Sequence, residues 1–171
     1  MTTLILTVAG ADRPGLVAAV ADVVDAHGGN WENSSLAELA GTFAGVIEVS
    51  VPTERTGELE TALRGIQGQG LLTLSVLTGT PGPSEHEEQL LVMQVLGNDR
   101  PGIVREVSAV LNAHALSIEE LTTETREAAM AGGRLFEASV IAKVPPTVDL
   151  DALRADLERL ASEIQVDINL G

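Results

Sequence analysis

The spacing of hydrophobic residues changes period along the first part of the chain. Leu4, Leu6 and Val8 recur at every second position, which is typical of a strand with two different faces. A helix is predicted next, beginning at Pro14, whose fixed φ suits a first helical position, and ending at Gly28. Its apolar stripe consists of Leu16, Val17, Val20, Val23 and Val24.

Four more elements complete this pattern. Strands are predicted from about residue 30 to 40 and from 43 to 51, joined by a turn at Gly41-Thr42. A second helix and a last strand are marked by Leu59, Leu63 and Ile66, and by Leu72, Leu74 and Val76. The order β-α-β-β-α-β is that of the split βαβ arrangement. It predicts an α+β unit, a four-stranded antiparallel sheet with two helices on one face.

The whole pattern occurs twice. Gly-Ala-Asp-Arg-Pro-Gly-Leu-Val at residues 10–17 recurs as Gly-Asn-Asp-Arg-Pro-Gly-Ile-Val at residues 97–104, an offset of 87. Phe43 and Phe136 are offset by 93, so the second copy holds six extra residues, near 127–133, where we expect a hairpin loop. The counterparts of the last helix and strand are Leu153, Leu157 and Leu160, and Ile164, Val166 and Ile168.

Proline and glycine mark a linker between the two copies. Residues 79–88 read Gly-Thr-Pro-Gly-Pro-Ser-Glu-His-Glu-Glu, a composition that prevents regular structure. We therefore predict a first unit at 1–79, a linker at 80–87 and a second unit at 88–171. Their unpaired sheet edges suit side-by-side packing, and on the same grounds we expect a homodimer.

Composition and charge exclude several classes of protein. Hydrophobic residues make up 44% of the chain and aromatic residues only 2%, so the core is expected to be aliphatic. With 10 Lys+Arg against 25 Asp+Glu the net charge is −15, and the few basic residues are interleaved with acids, which argues against direct nucleic-acid binding. No signal peptide or membrane-spanning run is evident, so we expect no membrane association and a cytoplasmic protein.

No constellation of residues points to catalysis. The chain has no Cys and three His, and we find no metal-ligand spacing, phosphate-binding loop or implied cofactor. His27 and His114 are expected to be structural residues in the last turn of a helix, and Glu32 and Glu119 to be solvated. Trp31 is expected in the core or an interface, and Phe43 and Phe136 in the core. We predict that the protein is not an enzyme.

The repeated turn is the candidate ligand site. Helix N-termini carry unpaired N–H groups, so the turns can receive a small carboxylate at Gly15, Leu16 and Val17 or at Gly102, Ile103 and Val104. Asp12 or Asp99 can hold the ammonium group of an amino acid. Asn30 and Asn33 in the first copy, and Ser117 in the second, are expected near the same mouth. The alternative is that Asp-x-Pro-Gly is simply a good turn before a helix, although that does not require the shared Arg.

These residues resemble a known family. The Gly-x-Asp-Arg-Pro-Gly-hydrophobic-Val motif, followed by an Ala-His-(Gly/Ala) helix end, resembles the ACT domain, and two such units resemble the glycine cleavage system transcriptional repressor group. The resemblance implies a ferredoxin-like fold, amino-acid binding at the turns and domain interfaces, no DNA-binding domain, and repression by contact with a transcriptional activator. The positions that it implies for the ligand are Asp12, Arg13, Pro14, Gly15, Leu16 and Val17, and Asp99, Arg100, Pro101, Gly102, Ile103 and Val104. Because Ser117 replaces Asn30, the two sites are expected to differ.

The functional hypothesis is an amino-acid-sensing regulatory protein. We expect glycine or serine as its ligand and a protein partner, such as a transcriptional activator, through which it modulates transcription of glycine metabolism. Two alternatives stay open: a detached regulatory subunit of an amino-acid biosynthetic enzyme, and an oligomerisation module without a ligand.

Overall fold

The chain divides into two compact units, Met1–Ser84 and Glu85–Gly171. A computed structural model describes residues 1–79, 89–128 and 132–171. The predicted linker at 80–87 lies outside the described residues, as do residues 129–131 within the predicted insertion.

Both units have the predicted order of elements. In the first they are β1 (Thr2–Ala11), α1 (Leu16–Ala26), β2 (Asn30–Leu39), β3 (Thr42–Val51), a 3-10 turn (Thr53–Arg55), α2 (Thr56–Gly68) and β4 (Thr73–Thr78). In the second they are β5 (Gln89–Asn98), α3 (Ile103–Ala113), β6 (Ser117–Glu127), β7 (Arg134–Val144), α4 (Leu150–Ile164) and β8 (Val166–Leu170). The strand orders are β2-β3-β1-β4 and β6-β7-β5-β8, with all neighbours antiparallel. The predicted α+β fold, with a four-stranded antiparallel sheet in each unit, is confirmed.

Each core lies between one face of a sheet and its two helices. The first contains Leu4, Leu6 and Val8 of β1, Ile47, Val49 and Val51 of β3, Leu16, Val20 and Val24 of α1, and Leu59, Leu63 and Ile66 of α2. The second contains, among others, Met93, Val95, Ile103, Val107, Leu111, Phe136, Leu153, Leu157 and Leu160. No polar residue is buried in the described part of the chain. Because side chains alternate along a strand, the opposite face of each sheet holds the remaining residues.

The helix that follows the repeated turn begins two residues later than predicted. Gly15 is the N-cap with φ 92°, and Pro14 precedes it in the turn. In the second unit Gly102 has φ 96° and α3 begins at Ile103. A proline followed by a residue with positive φ is the order of a type II turn, so the left-handed glycine keeps Pro14 out of the helix.

Two core assignments also change. Val17 is 45% exposed, because the buried stripe of α1 follows Leu16, Val20 and Val24 at intervals of four. Ile164 is the last residue of α4 and not the start of a strand, since Gln165 ends the helix with φ 55°. Phe136 is buried as predicted, while Trp31 and Phe43 are partly buried against the first core.

The turn between β2 and β3 lies one residue earlier than predicted. Leu39 pairs with Thr42, and the two connecting residues, Ala40 and Gly41, have φ 51° and 78°. Positive φ at both positions is the requirement of a type I′ hairpin, which suits Asn-Gly better than Ala-Gly. Ala40 therefore adopts a conformation that its side chain disfavours.

Both repeated histidines bond within their own unit. The Nδ1 of His27 donates to the carbonyl of Val23 at 2.7 Å. The Nε2 of His114 donates to Oδ2 of Asp156 at 2.8 Å, which joins the end of α3 to α4. This bond lowers the pKa of Asp156 below its usual value, with a smaller contribution from Arg159. The first unit lacks the pair, although the histidine is repeated.

Ala40→Asn is expected to stabilise the first unit. Asparagine tolerates a left-handed conformation better than alanine, and the expected gain is about 0.5–1 kcal/mol in the free energy of unfolding. Urea unfolding followed by circular dichroism measures it, with Ala37→Asn in the body of β2 as the control. A loss of stability in Ala40→Asn would contradict the type I′ assignment.

Asp156→Asn is expected to change the acid dependence of stability. The folded-state pKa of Asp156 lies below the unfolded value of about 3.9, so its contribution is present above that pH and is lost as the pH falls through the folded pKa. The variant should therefore be less stable than wild type at neutral pH, and should lose less stability between about pH 5 and pH 2. Urea midpoints across this range test it, with the exposed Asp22→Asn as control; equal acid losses in variant and wild type would refute the interpretation.

Candidate ligand-binding turns

The backbone of each repeated turn forms a hydrogen bond with the hairpin of the second and third strands of its own unit. The N–H of Asp12 donates to the carbonyl of Gly41 at 2.9 Å, and that of Asp99 to the carbonyl of Arg134 at 2.8 Å. The turns therefore sit at the ends of β1 and β5, where α1 and α3 begin. This fixes the direction of each helix N-terminus relative to its sheet.

Both helices begin without a side-chain cap. Neither Gly15 nor Gly102 has a side chain to accept from the first turn, and no other side chain in the described part of the chain caps either helix. The first helical bonds are Ala19 N–H to Gly15 carbonyl, 2.9 Å, and Glu106 N–H to Gly102 carbonyl, 3.0 Å. The N–H groups before Ala19 and Glu106 are thus those that a helix leaves unpaired. Such a group of donors, aided by the helix dipole, favours an anion.

In the first unit the turn is exposed and its acid is unengaged. Residues 12–15 are all exposed, and Gly15 leaves open space above the helix. Arg13 is engaged just after α2, since its Nη2 donates to the carbonyl of Gly70 at 2.8 Å. Among the described residues, none forms a hydrogen bond or ion pair with the Asp12 carboxylate. A positive helix end therefore lies beside a free negative group.

In the second unit the turn is covered by its own side chains. Glu106 forms an ion pair with Arg100 and is 27% exposed. Its Oε1 would lie 3.7 Å from a Cβ placed on Gly102, so its charge stands at the helix end. Arg100 also donates to the carbonyl of Pro101 at 3.0 Å. Asp99 lies 3.9 Å from Nε of Arg134.

The two turns therefore have the same backbone conformation but differ in the charges around the helix end. The position of Glu106 is occupied by Ala19 in the first unit, where the first turn of α1 has no acid. A ligand carboxylate would meet unpaired donors in the first unit and an internal carboxylate in the second. Because like charges disfavour each other at short range, Glu106 opposes a ligand carboxylate at the second turn, and Ala19 at the matching position of the first unit does not.

Three residues expected at the mouth lie elsewhere. Asn30 pairs with Ser50, which pairs with Thr3, so Asn30 is eight residues of β1, roughly 26 Å, from the turn after Ala11. Asn33 lies on the row of Glu48 and Ile5 and donates to Glu48 at 2.8 Å.

Ser117 is equally remote from its turn, because it pairs with Lys143 opposite Leu90. The expectation is wrong because α1 and α3 run back along their sheets, so β2 and β6 start where the helices end.

Ile103 and Val104 offer only their backbone to a ligand at the turn. Their side chains line an apolar groove between α3 and β6 together with Val107, Ser108, Ile118 and Leu121.

No group of three or more His, Asp or Glu in the described residues is arranged to hold a metal ion.

The residue that sequence reasoning missed is Glu106. The repeat alignment contained its signal, since an acid stands four residues after the left-handed glycine in one copy and an alanine in the other. The bond from Arg13 to Gly70 had no such signal, because it joins residues 57 positions apart.

The fold and the repeated turns define a tandem ACT-domain protein. Residues 2–77 and 89–171 both match the sequence model of the ACT domain, so the chain belongs to the ACT domain family. The predicted resemblance is confirmed.

Its relatives include a named bacterial regulator. The chain is 26% identical over 163 residues to the glycine cleavage system transcriptional repressor of Escherichia coli (strain K12), covering 94% of this chain and 85% of the relative. A solved structure of an unknown protein from Galdieria sulphuraria is 30% identical with a TM-score of 0.82, covering 99% of this chain and 96% of the other. A crystal structure provisionally named a glycine cleavage system transcriptional repressor has a TM-score of 0.69 at 19% identity, with the same coverages, and shows the shared fold.

No helix in the described ranges is long and apolar enough to span a bilayer.

Gly15→Ala is expected to destabilise the first unit by about 1–2 kcal/mol, because an L side chain at φ 92° is strained even in open space. Gly65→Ala in α2 is the matched control: it too adds a methyl group to open space, at a helical φ, and should stabilise by about 0.5–1 kcal/mol. Urea unfolding of the full chain measures both. Equal effects of the same sign would show that the left-handed turn does not constrain this position.

Proposed function

We propose that this protein is a non-enzymatic regulator that senses a small amino acid, glycine or serine, and modulates transcription of glycine metabolism through a protein partner. The observation that carries the sensing role is the turn at Asp12–Val17, where unpaired helix donors stand beside a free carboxylate. The regulatory role is supported by family membership and by the name of the Escherichia coli relative.

A free amino acid matches both charges of the first turn. Its carboxylate would accept hydrogen bonds from the N–H groups at the start of α1, and its ammonium group would donate to Asp12. A charged hydrogen bond contributes about 1.5–3 kcal/mol, so each end of the ligand adds at least tenfold in affinity. Pro14 and Gly15 present little side chain, so a ligand carboxylate can approach the backbone donors. The choice of glycine or serine is supported by the name of the Escherichia coli relative.

The second turn would be silent in the wild-type chain. The Glu106 carboxylate already neutralises the end of α3 and engages Arg100. A ligand carboxylate would have to displace it. The expected stoichiometry is therefore one amino acid per chain.

A protein partner accounts for control of transcription better than DNA does. The net charge of −15 opposes binding to a polyanion. A cytoplasmic homodimer, joined through the unpaired edges of its sheets, is part of the same proposal.

Calorimetric titration of the full chain with amino acids, glycine and serine first, tests the sensing role. Wild type should bind one ligand per chain, and Asp12→Asn should bind about tenfold more weakly or worse, because one charged hydrogen bond is lost. Asp99→Asn is the matched control and should bind like wild type.

The difference between the copies gives a second, reciprocal test. Ala19→Glu places an acid at the open helix end and should abolish binding, whereas Glu106→Ala should raise the stoichiometry to two. Absence of binding by every amino acid, or wild-type affinity in Asp12→Asn, would refute the sensing role. Co-purification tests the regulatory role separately, since a metabolic enzyme in place of a transcription factor would contradict it.

A further inference from the structure

The face of the first sheet that points away from its helices carries exposed aliphatic side chains. Val46 is 46% exposed and Leu77 is 60% exposed. Ile5 lies between them, directly opposite Leu77 and diagonal to Val46, which pairs with Thr7. Side chains directly opposite each other are within contact distance, and diagonal neighbours lie about 7–8 Å apart. We call Ile5, Val46 and Leu77 the aliphatic patch.

Carboxylates border the aliphatic patch. Glu48 stands opposite Ile5 on the same face and is held by the amide of Asn33 at 2.8 Å. Glu32 is an extra residue in a bulge of β2, and its carboxylate accepts from the hydroxyl of Ser50 on this face. Hydrogen bonds from Ser50 and Asn30 lower the pKa of Glu32, which keeps the group ionised.

No cation on the first sheet balances these acids. β1, β2, β3 and β4 contain no Lys or Arg. The arginines of the described first unit belong to the turn after β1 and to the segment from 55 to 68. There Arg55 and Arg64 pair with Glu58 and Glu60. The charge of Glu32 and Glu48 is therefore uncompensated within the sheet.

The second sheet differs in this respect. Lys143 lies 2.9 Å from Glu119, and Arg126 lies 3.5 Å from Glu137. Two of its carboxylates are thus paired with cations on neighbouring strands. The first sheet contains no cation that could form such a pair.

We propose that the aliphatic patch and its border of carboxylates form the docking surface for the protein partner, and that the partner presents an apolar surface flanked by Lys or Arg. The inference rests on the proposed function only in assuming that a protein partner exists. A second copy of this chain would bring the same carboxylates together, and like charges oppose that contact. A basic, amphipathic segment would bury the aliphatic side chains and pair with Glu32 and Glu48.

The experiment uses the full chain and a defined probe. A fluorescent amphipathic peptide of about 18 residues, five helical turns, carries leucine on one face and lysine at its borders; its twin has glutamate for lysine. Fluorescence anisotropy should show binding of the lysine peptide alone. Val46→Lys and Leu77→Lys should each weaken that binding by about tenfold.

Leu150→Lys is the matched control, since Leu150 is 41% exposed but lies at the start of α4 in the other unit. It adds the same charge and should leave binding unchanged. Equal weakening by Leu150→Lys would show general attraction to an acidic protein, and no weakening by Val46→Lys would show docking elsewhere; both outcomes overturn the proposal. A wild-type dimer that Val46→Lys dissociates in sedimentation would also overturn it, because a second copy would then cover the face.

Two further measurements control for misfolding of the lysine variant and separate this proposal from the sensing role. Val46→Ser removes the aliphatic group at an exposed position without adding charge, and it should weaken peptide binding even if a lysine there disturbs folding. Glycine titration of Val46→Lys separates the proposals, since amino-acid binding should persist when peptide docking is lost. Failure of peptide docking with intact glycine binding would overturn the docking surface and leave the sensing role standing.

Discussion

Each unit depends on burying one face of a four-stranded sheet beneath two helices. The buried side chains are apolar, and the core in the first unit is made almost entirely of leucine, valine and isoleucine. With so few aromatic rings, stability must come from many aliphatic contacts at close packing. The strand period of two then assigns every other residue to the opposite face. One constraint thus produces both the core and the open face that carries Ile5, Val46 and Leu77.

The same constraint sets where the unpaired N–H groups of each first helix lie. A helix that covers its sheet must run back along it, so its N-terminus lies at one end of the unit and its C-terminus at the other. The unpaired N–H groups therefore meet the turn after β1 or β5, and not the residues that begin β2 or β6. A left-handed glycine makes the change of direction and begins each helix without a side-chain cap. This geometry determines the backbone conformation of both turns, although their side chains differ.

The repeat shows how side-chain chemistry can differ on an unchanged backbone. Gly15 and Gly102 have nearly the same φ, 92° and 96°, yet one helix end faces Ala19 and the other Glu106. The two sheets differ in the same manner, since the acids of the first lack the basic partners found in the second. Under the proposed function, the open turn of the first unit would take the small ligand and the aliphatic patch would take the protein partner. Membership of the ACT domain family agrees with a regulatory use of the fold.

The sequence by itself determined the number, order and type of the elements and the repeated turn. Those features depend on local periodicity, as in Leu4, Leu6 and Val8, and on the short-range chemistry of proline and glycine. It misplaced Pro14 and Val17 because a left-handed Gly15 shifts the helix start. Only the tertiary structure decided which distant groups meet: it took Asn30 and Ser117 to the far end of their sheets, brought Arg13 to Gly70, and set Glu106 over its helix end. Strand register and the direction of each helix create these contacts. The spacing of neighbouring residues specifies neither of them.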